Sequence, residues 1–169
     1  MIQTSDALSR AWKHAARKLS CGKVGNFTVE PAGEVYQAAF VEMPMQDALE
    51  GVKVYQTTVQ VQREKGKVGE AGRAAVPASP YGALTPSQAA GLLDGMKAYE
   101  LALAAIKGHE TYDKFGPLTT QLVGEEQRTY EVTFPLMPEE AEDPRSADYA
   151  YRVVIDAKSG QVLKILVPS

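Results

Sequence analysis

Cysteine is almost absent from this chain: Cys21 is the only one in 169 residues. No intramolecular disulfide can form, so the fold asks nothing of an oxidising compartment. Histidine is nearly as scarce, with only His14 and His109. Neither has a second ligand beside it at metal spacing, and a zinc site needs three or four ligands. Both read as exposed or helix-terminal side chains, where an imidazolium suits a helix C-terminus. No apolar run approaches the roughly 18 residues needed to cross a bilayer. Met1 to Asp6 lacks a basic segment followed by an apolar stretch, so it does not read as a secretory signal. The expected location is cytoplasmic; an extracytoplasmic one would require a leader removed ahead of Met1.

Nucleotide-binding signatures are missing too, since no Walker loop occurs and no Gly-x-Gly-x-x-Gly follows a strand. Charge of one sign is not in excess. The net value is −3, which gives no electrostatic reason to favour nucleic acid or an anionic membrane. Its distribution is uneven: residues 1–84 carry 10 Lys/Arg against 8 Asp/Glu, and residues 85–169 carry 8 against 13.

What remains is ordinary globular material, 44% hydrophobic and 23% charged, in a chain long enough to bury a core without staples. Ser5 is a candidate N-cap with Asp6 in the first turn. Leu8, Trp12, Ala15 and Leu19 then recur on one helical face, with Gly22 as the stop. A second helix opens on Thr85-Pro86-Ser87-Gln88, a capping box with proline at the first helical position. Its stripe is Leu92, Met96, Tyr99, Leu103 and Ile106, ending at Gly108. Strands are expected over 26–30, 34–43 and 52–63 in the first half. In the second, Arg128 to Leu136 alternates, and Tyr149 to Ile155 leads through the turn Asp156-Ala157-Lys158-Ser159-Gly160 into a strand over 161–167.

The halves look alike. Gly33-Glu34, Val41 and Met43-Pro44 match Gly124-Glu125, Val132 and Phe134-Pro135 at a constant spacing of 91 residues. The pattern reads as an internal duplication. The expected fold is α+β: two similar halves, 1–70 and 85–169, each a helix followed by an antiparallel three- to four-stranded sheet. A Gly/Pro/Ala-rich linker over 71–84 joins them. Neither half is comfortable alone, so the two share an interface or a continuous sheet.

The segment Tyr151-Arg152-Val153-Val154-Ile155-Asp156-Ala157-Lys158-Ser159-Gly160-Gln161-Val162-Leu163 resembles the closing hairpin of PepSY domains. Those units end in an aromatic, alternating β-branched residues, Asp-Ala, a Ser/Thr-Gly turn and a short strand. The resemblance implies a cystatin-like plan, here in tandem. It also implies a small binding or inhibitory module, often extracytoplasmic and associated with peptidases. No functional residue is carried over from it.

Reactive groups are sparse. Lys18 and Lys23 would lower the Cys21 thiol and a helix C-terminus would raise it, so a small semi-buried thiol is expected. Glu139, Glu140, Glu142 and Asp143, between Pro138 and Pro144, read as a solvated loop. The basic face of the first helix lacks interleaved aromatics for nucleic acid. The suggestive feature is a pair of loop entries, Met43-Pro44-Met45 and Leu136-Met137-Pro138. There proline restricts the chain and Met or Leu offers adaptable apolar contact to a partner, or else plugs the ends of the core.

The expected function is a non-catalytic protein-binding module: an inhibitor, immunity protein or secretion-type adaptor, with no cofactor or metal and with homo-oligomerisation open. The alternative is a small-molecule carrier or small enzyme, with Tyr130, Phe134, Tyr149 and Tyr151 lining an apolar pocket between helix and curved sheet.

Overall fold

The computed structural model describes residues 2, 4–17, 23–44, 54–76, 79–82, 84–106, 118–123, 129–134 and 151–166. Helix α1 (Thr4–Ala15) precedes four strands, β1 (Val24–Ala32), β2 (Val35–Glu42), β3 (Val54–Gln62) and β4 (Gly72–Val76). Helices α2 (Pro86–Ala90) and α3 (Gly95–Ile106) follow. Four more strands come next: β5 (Leu118–Val123), β6 (Thr129–Phe134), β7 (Tyr151–Asp156) and β8 (Val162–Leu166).

All eight strands form one antiparallel sheet in the order β4-β3-β2-β1-β5-β6-β7-β8. This overturns the expected α+β plan of two similar cystatin-like halves in tandem, each a helix followed by an antiparallel three- to four-stranded sheet; of the two arrangements left open, an interface or a continuous sheet, the strands form one sheet. β1 and β5 pair directly at the centre, through Phe27–Thr120, Thr28–Thr119 and Val29–Leu118. Alternating hydrophobicity reports which face a strand buries but not which strand lies beside it, so the merger of the sheets left no trace in the pattern.

The core lies on one face. Tyr36, Ala38 and Phe40 of β2 are buried beside Phe27 and Val29 of β1, with Tyr130, Val132 and Phe134 of β6 and Val153 and Ile155 of β7. A chain of rings ties both long helices to that face. Trp12 lies 5.3 Å from Phe40, Phe40 5.8 Å from Phe27, Phe27 6.0 Å from Tyr99 and Tyr99 6.1 Å from Phe134. Offset and edge contacts of this kind add about 0.5–1.5 kcal/mol per pair beyond burial. In α1, Leu8 and Ala15 are buried as their spacing predicts, and Ala7 and Ala11 fill the closest approach. The helix begins at Thr4, so Ser5 lies inside it rather than capping it.

Two other expectations change. The capping box is present, with Gln88 N–H donating to Thr85 Oγ1 and Thr85 N–H donating to Gln88 Oε1. The helix it starts stops at Ala90, however, with Gly91 as C-cap. Asp94 then starts α3 afresh, its Oδ1 accepting from Met96 N–H at 2.8 Å. Lys23 Nζ donates to the carbonyls of Ala90 and Leu92, satisfying groups that the break leaves open. Within the expected linker, Gly72–Val76 forms β4. Small residues without alternation give it no strand signature; pairing along β3 imposes the conformation.

The centre of the sheet is irregular. The β1–β2 register shifts between Val24 and Phe27. The Tyr81 hydroxyl enters the gap, accepting from Asn26 N–H at 2.8 Å and donating to Val41 C=O. Asn26 Oδ1 in turn accepts from Leu122 N–H of β5 at 2.8 Å, extending the short central ladder by a side chain. Two glycines make this possible. A Cβ on Gly25 would stand 2.9 Å from the Tyr81 ring, and one on Gly95 would stand 2.0 Å from Gly25 O.

A Gly95→Ala substitution therefore forces α3 off β1. It is expected to cost on the order of 3 kcal/mol, read as a lower urea midpoint. At Gly91 an added Cβ meets nothing nearer than Gln88 O at 3.6 Å, so Gly91→Ala is expected to leave the midpoint nearly unchanged. Equal losses at the two positions would contradict the packing described.

Candidate functional site

Met43, just after β2, is a core residue, 2% exposed, and Pro44 beside it is half-buried. Met45, Leu136, Met137 and Pro138 lie outside the described residues, as do Cys21, His109, Tyr149 and the acidic run Glu139 to Asp143. Tyr130 and Phe134 are packed into the core, and Tyr151 is half-buried at its margin. His14 lies on α1. Among the described residues no three His, Cys, Asp or Glu side chains converge as a metal site would require. No described helix is long and apolar enough to cross a membrane.

Polar chemistry gathers in two buried places. The first is at the head of α3. Tyr130 donates its hydroxyl proton to Leu93 C=O at 2.6 Å, near Tyr81 and Asp94. Burial pushes both phenols well above their ordinary range, and the Asp94 charge adds to it. Tyr99, buried without such neighbours, is pushed up to about 12. Phenols held neutral in this way donate hydrogen bonds and do not act as bases. The second place is the β4 edge. Glu42 is 0% exposed and accepts from Arg73 Nη2 at 3.0 Å. The Arg73 guanidinium also lies 3.9 Å over the Tyr55 ring. This clamp ties β4 across β3 to β2. Among the described residues, Glu42 Oε1 and the buried Thr57 Oγ1 have no hydrogen-bond partner. Both places hold structure together, and neither offers a nucleophile with an adjacent base.

Two outward-facing features remain. The sheet face opposite the ring chain is lined by Thr and Gln. Thr28 stands between Ala39 and Thr119, Thr119 faces Thr133, Gln37 faces Gln60, and Gln121 faces Glu131. Arg152, opposite Thr133, reaches Glu131 Oε1 at 3.1 Å on the same face. A cleft of about 290 Å³ opens on this face over the central strands. Among the described residues its polar lining is Asn26, Thr28, Gln56, Thr120 and Gln121; Phe27, Ala39, Val41, Val76 and Pro80 supply the apolar part.

The second feature is β8, which among the described residues is an edge strand paired on one side only. Leu163, 49% exposed, and Ile165, 40% exposed, are the large hydrophobic side chains most open to solvent among the described residues. Ile165 stands opposite Val153, and Leu163 lies at the register shift between Val154 and Ile155. The alternation Val162-Leu163-Lys164-Ile165 predicts a strand, but only the strand order reveals that it has an outer edge.

Burial raises the Asp94 carboxyl above the ordinary Asp range, against the lowering influence of Met96 N–H and Lys23. A raised carboxyl keeps its proton in the folded protein where the unfolded chain has lost it. Stability is therefore highest below the unfolded value of about 4 and falls as pH rises through the folded one. Asp94→Asn preserves an oxygen for the Met96 N–H and removes the titration. Relative to the parent, the variant is expected to gain stability as pH climbs above about 4. Urea midpoints between acid and neutral pH check this; a difference constant with pH would contradict it.

No family model matches the chain, and no curated protein matches it. Among solved structures, a candidate lipoprotein of Clostridium difficile 630 is similar at 11% identity, with a TM-score of 0.40. The match covers 98% of this chain and 92% of that one, and it is too distant to assign a fold or a role.

Proposed function

We propose that this protein is a non-catalytic binding protein whose target is another protein, engaged along β8. The observation that carries the reading is the coincidence of Leu163 and Ile165 on a strand whose outer edge is unpaired among the described residues. An open edge offers backbone hydrogen bonds to an added strand, and exposed aliphatic side chains offer the apolar anchors that such docking uses. Lys164 lies between them. In the antiparallel pairing of two copies that sets Leu163 against Ile165, Lys164 would face its own copy. Like charges directly opposite are destabilising. That repulsion, with the irregular register at Leu163, disfavours self-association and leaves the edge to a different protein. The fold needs no disulfide, so the reading suits a cytoplasmic or an extracytoplasmic setting equally.

The test is affinity capture from the native host, with the parent protein and the Leu163→Lys/Ile165→Lys variant as parallel baits. Both substitutions are at exposed positions and should change stability by no more than about 0.5 kcal/mol each. A protein retained by the parent and lost from the variant is expected, with sedimentation showing a monomer at every concentration. Identical captures from both baits, or a mass that rises with concentration, would refute the reading.

A further inference from the structure

We propose that the cleft on the Thr/Gln face is a second binding site, for a short uncharged peptide segment in extended form. It is independent of β8 and uses none of its residues. Among the described residues, the side chains of Thr28, Gln56 and Gln121 make no hydrogen bond. They are uncommitted donors and acceptors around an apolar patch that includes Ala39 and Val41. Asn26, the other amide in the lining, has its Oδ1 engaged by Leu122 N–H, which leaves its Nδ2 group as a donor.

The dimensions follow from the strand order. Gln56 is on β3 and Gln121 on β5, with β2 and β1 between them. Three interstrand spacings separate the two amides, about 14 Å, which is the length of roughly four extended residues. The volume of about 290 Å³ is at the small end of ligand sites, which begin near 300 Å³.

The chemistry selects the ligand class. Among the described residues no ionisable side chain lines the cleft, and Glu131, opposite Gln121 beyond one end, is engaged by Arg152, so a charged ligand would lose hydration and meet no counter-charge in that lining. A glutamine amide presents one donor group and one acceptor, which matches the N–H and C=O of a peptide unit. The aliphatic part accepts a small apolar side chain such as Val or Ala. Among the described residues Phe27 is the one aromatic in the lining and is itself buried, so they present no open ring for stacking a flat or sugar ligand.

The probe is the capped tetrapeptide acetyl-Ser-Val-Ala-Ser-amide, titrated into the full ¹⁵N-labelled chain. Saturable shifts are expected in the side-chain amides of Gln56 and Gln121 and the backbone amide of Val41. Affinity should fall about tenfold in a Gln56→Ala/Gln121→Ala variant whose melting temperature is unchanged. A peptide with Lys or Asp at both ends should bind at least tenfold more weakly. The Leu163→Lys/Ile165→Lys variant should bind the probe like the parent, so failure of the β8 reading leaves this result intact, and the converse holds. No saturable shift, shifts that survive loss of both glutamines, or equal binding of the charged peptides would each overturn the proposal.

Discussion

Backbone-to-backbone contact between Gly95 and the Gly25 carbonyl is the constraint on which the rest of the molecule hangs. Helix α3 can approach β1 that closely only because Gly95 has no side chain. The approach sets the depth at which Tyr99 reaches Phe27 and Phe134, and so couples strands on both sides of the centre. On the same stretch of β1, Tyr81 supplies a donor and an acceptor where the ladder with β2 is interrupted. Buried backbone groups are costly to leave unpaired, at about 1–3 kcal/mol each, so the irregular register is stable only with that phenol in place. The three-pair junction between β1 and β5 is short; glycine contact, phenol and the Asn26 amide together make it continuous.

Local chemistry was the readable part of the fold. The hairpin of β7 and β8 follows from its turn: Asp156 Oδ1 accepts from Lys158 and Ser159 N–H, and Gly160 takes φ +79°. The capping box at Thr85 is equally local. What could not be read was decided by residues far apart in sequence. β4 is a strand because β3 offers an edge and because Glu42 draws Arg73 inward. The helix break falls at Gly91 to Asp94, where the apolar stripe from Leu92 onward suggested continuity. Asp94 caps a new helix there, and Lys23 of a distant segment takes up the freed carbonyls. The plan of two helix-plus-sheet halves failed for the same reason, since strand neighbours are a property of the whole chain.

The functional surfaces show the same division. Met43 was singled out by its neighbours Pro44 and Met45, yet its side chain belongs to the core. Gln56 and Gln121 drew no notice because a polar residue on an alternating strand is what a solvated face requires. Only the register, which places four strands side by side, turns them into two ends of one cleft. Leu163 and Ile165 read as ordinary strand hydrophobics until β8 is seen to be last in the sheet.

The strand order also has a consequence for biosynthesis. A chain emerging from the ribosome completes β1 through β4 as a run of neighbours, each able to pair at once with the one before. The inner edge of β1, carrying Phe27 and Val29, must wait for β5 at residue 118. At about 5–20 residues per second of translation, that interval leaves an apolar strand edge open to nascent neighbours for several seconds. The centre of the finished sheet is thus its most vulnerable margin while it is being made.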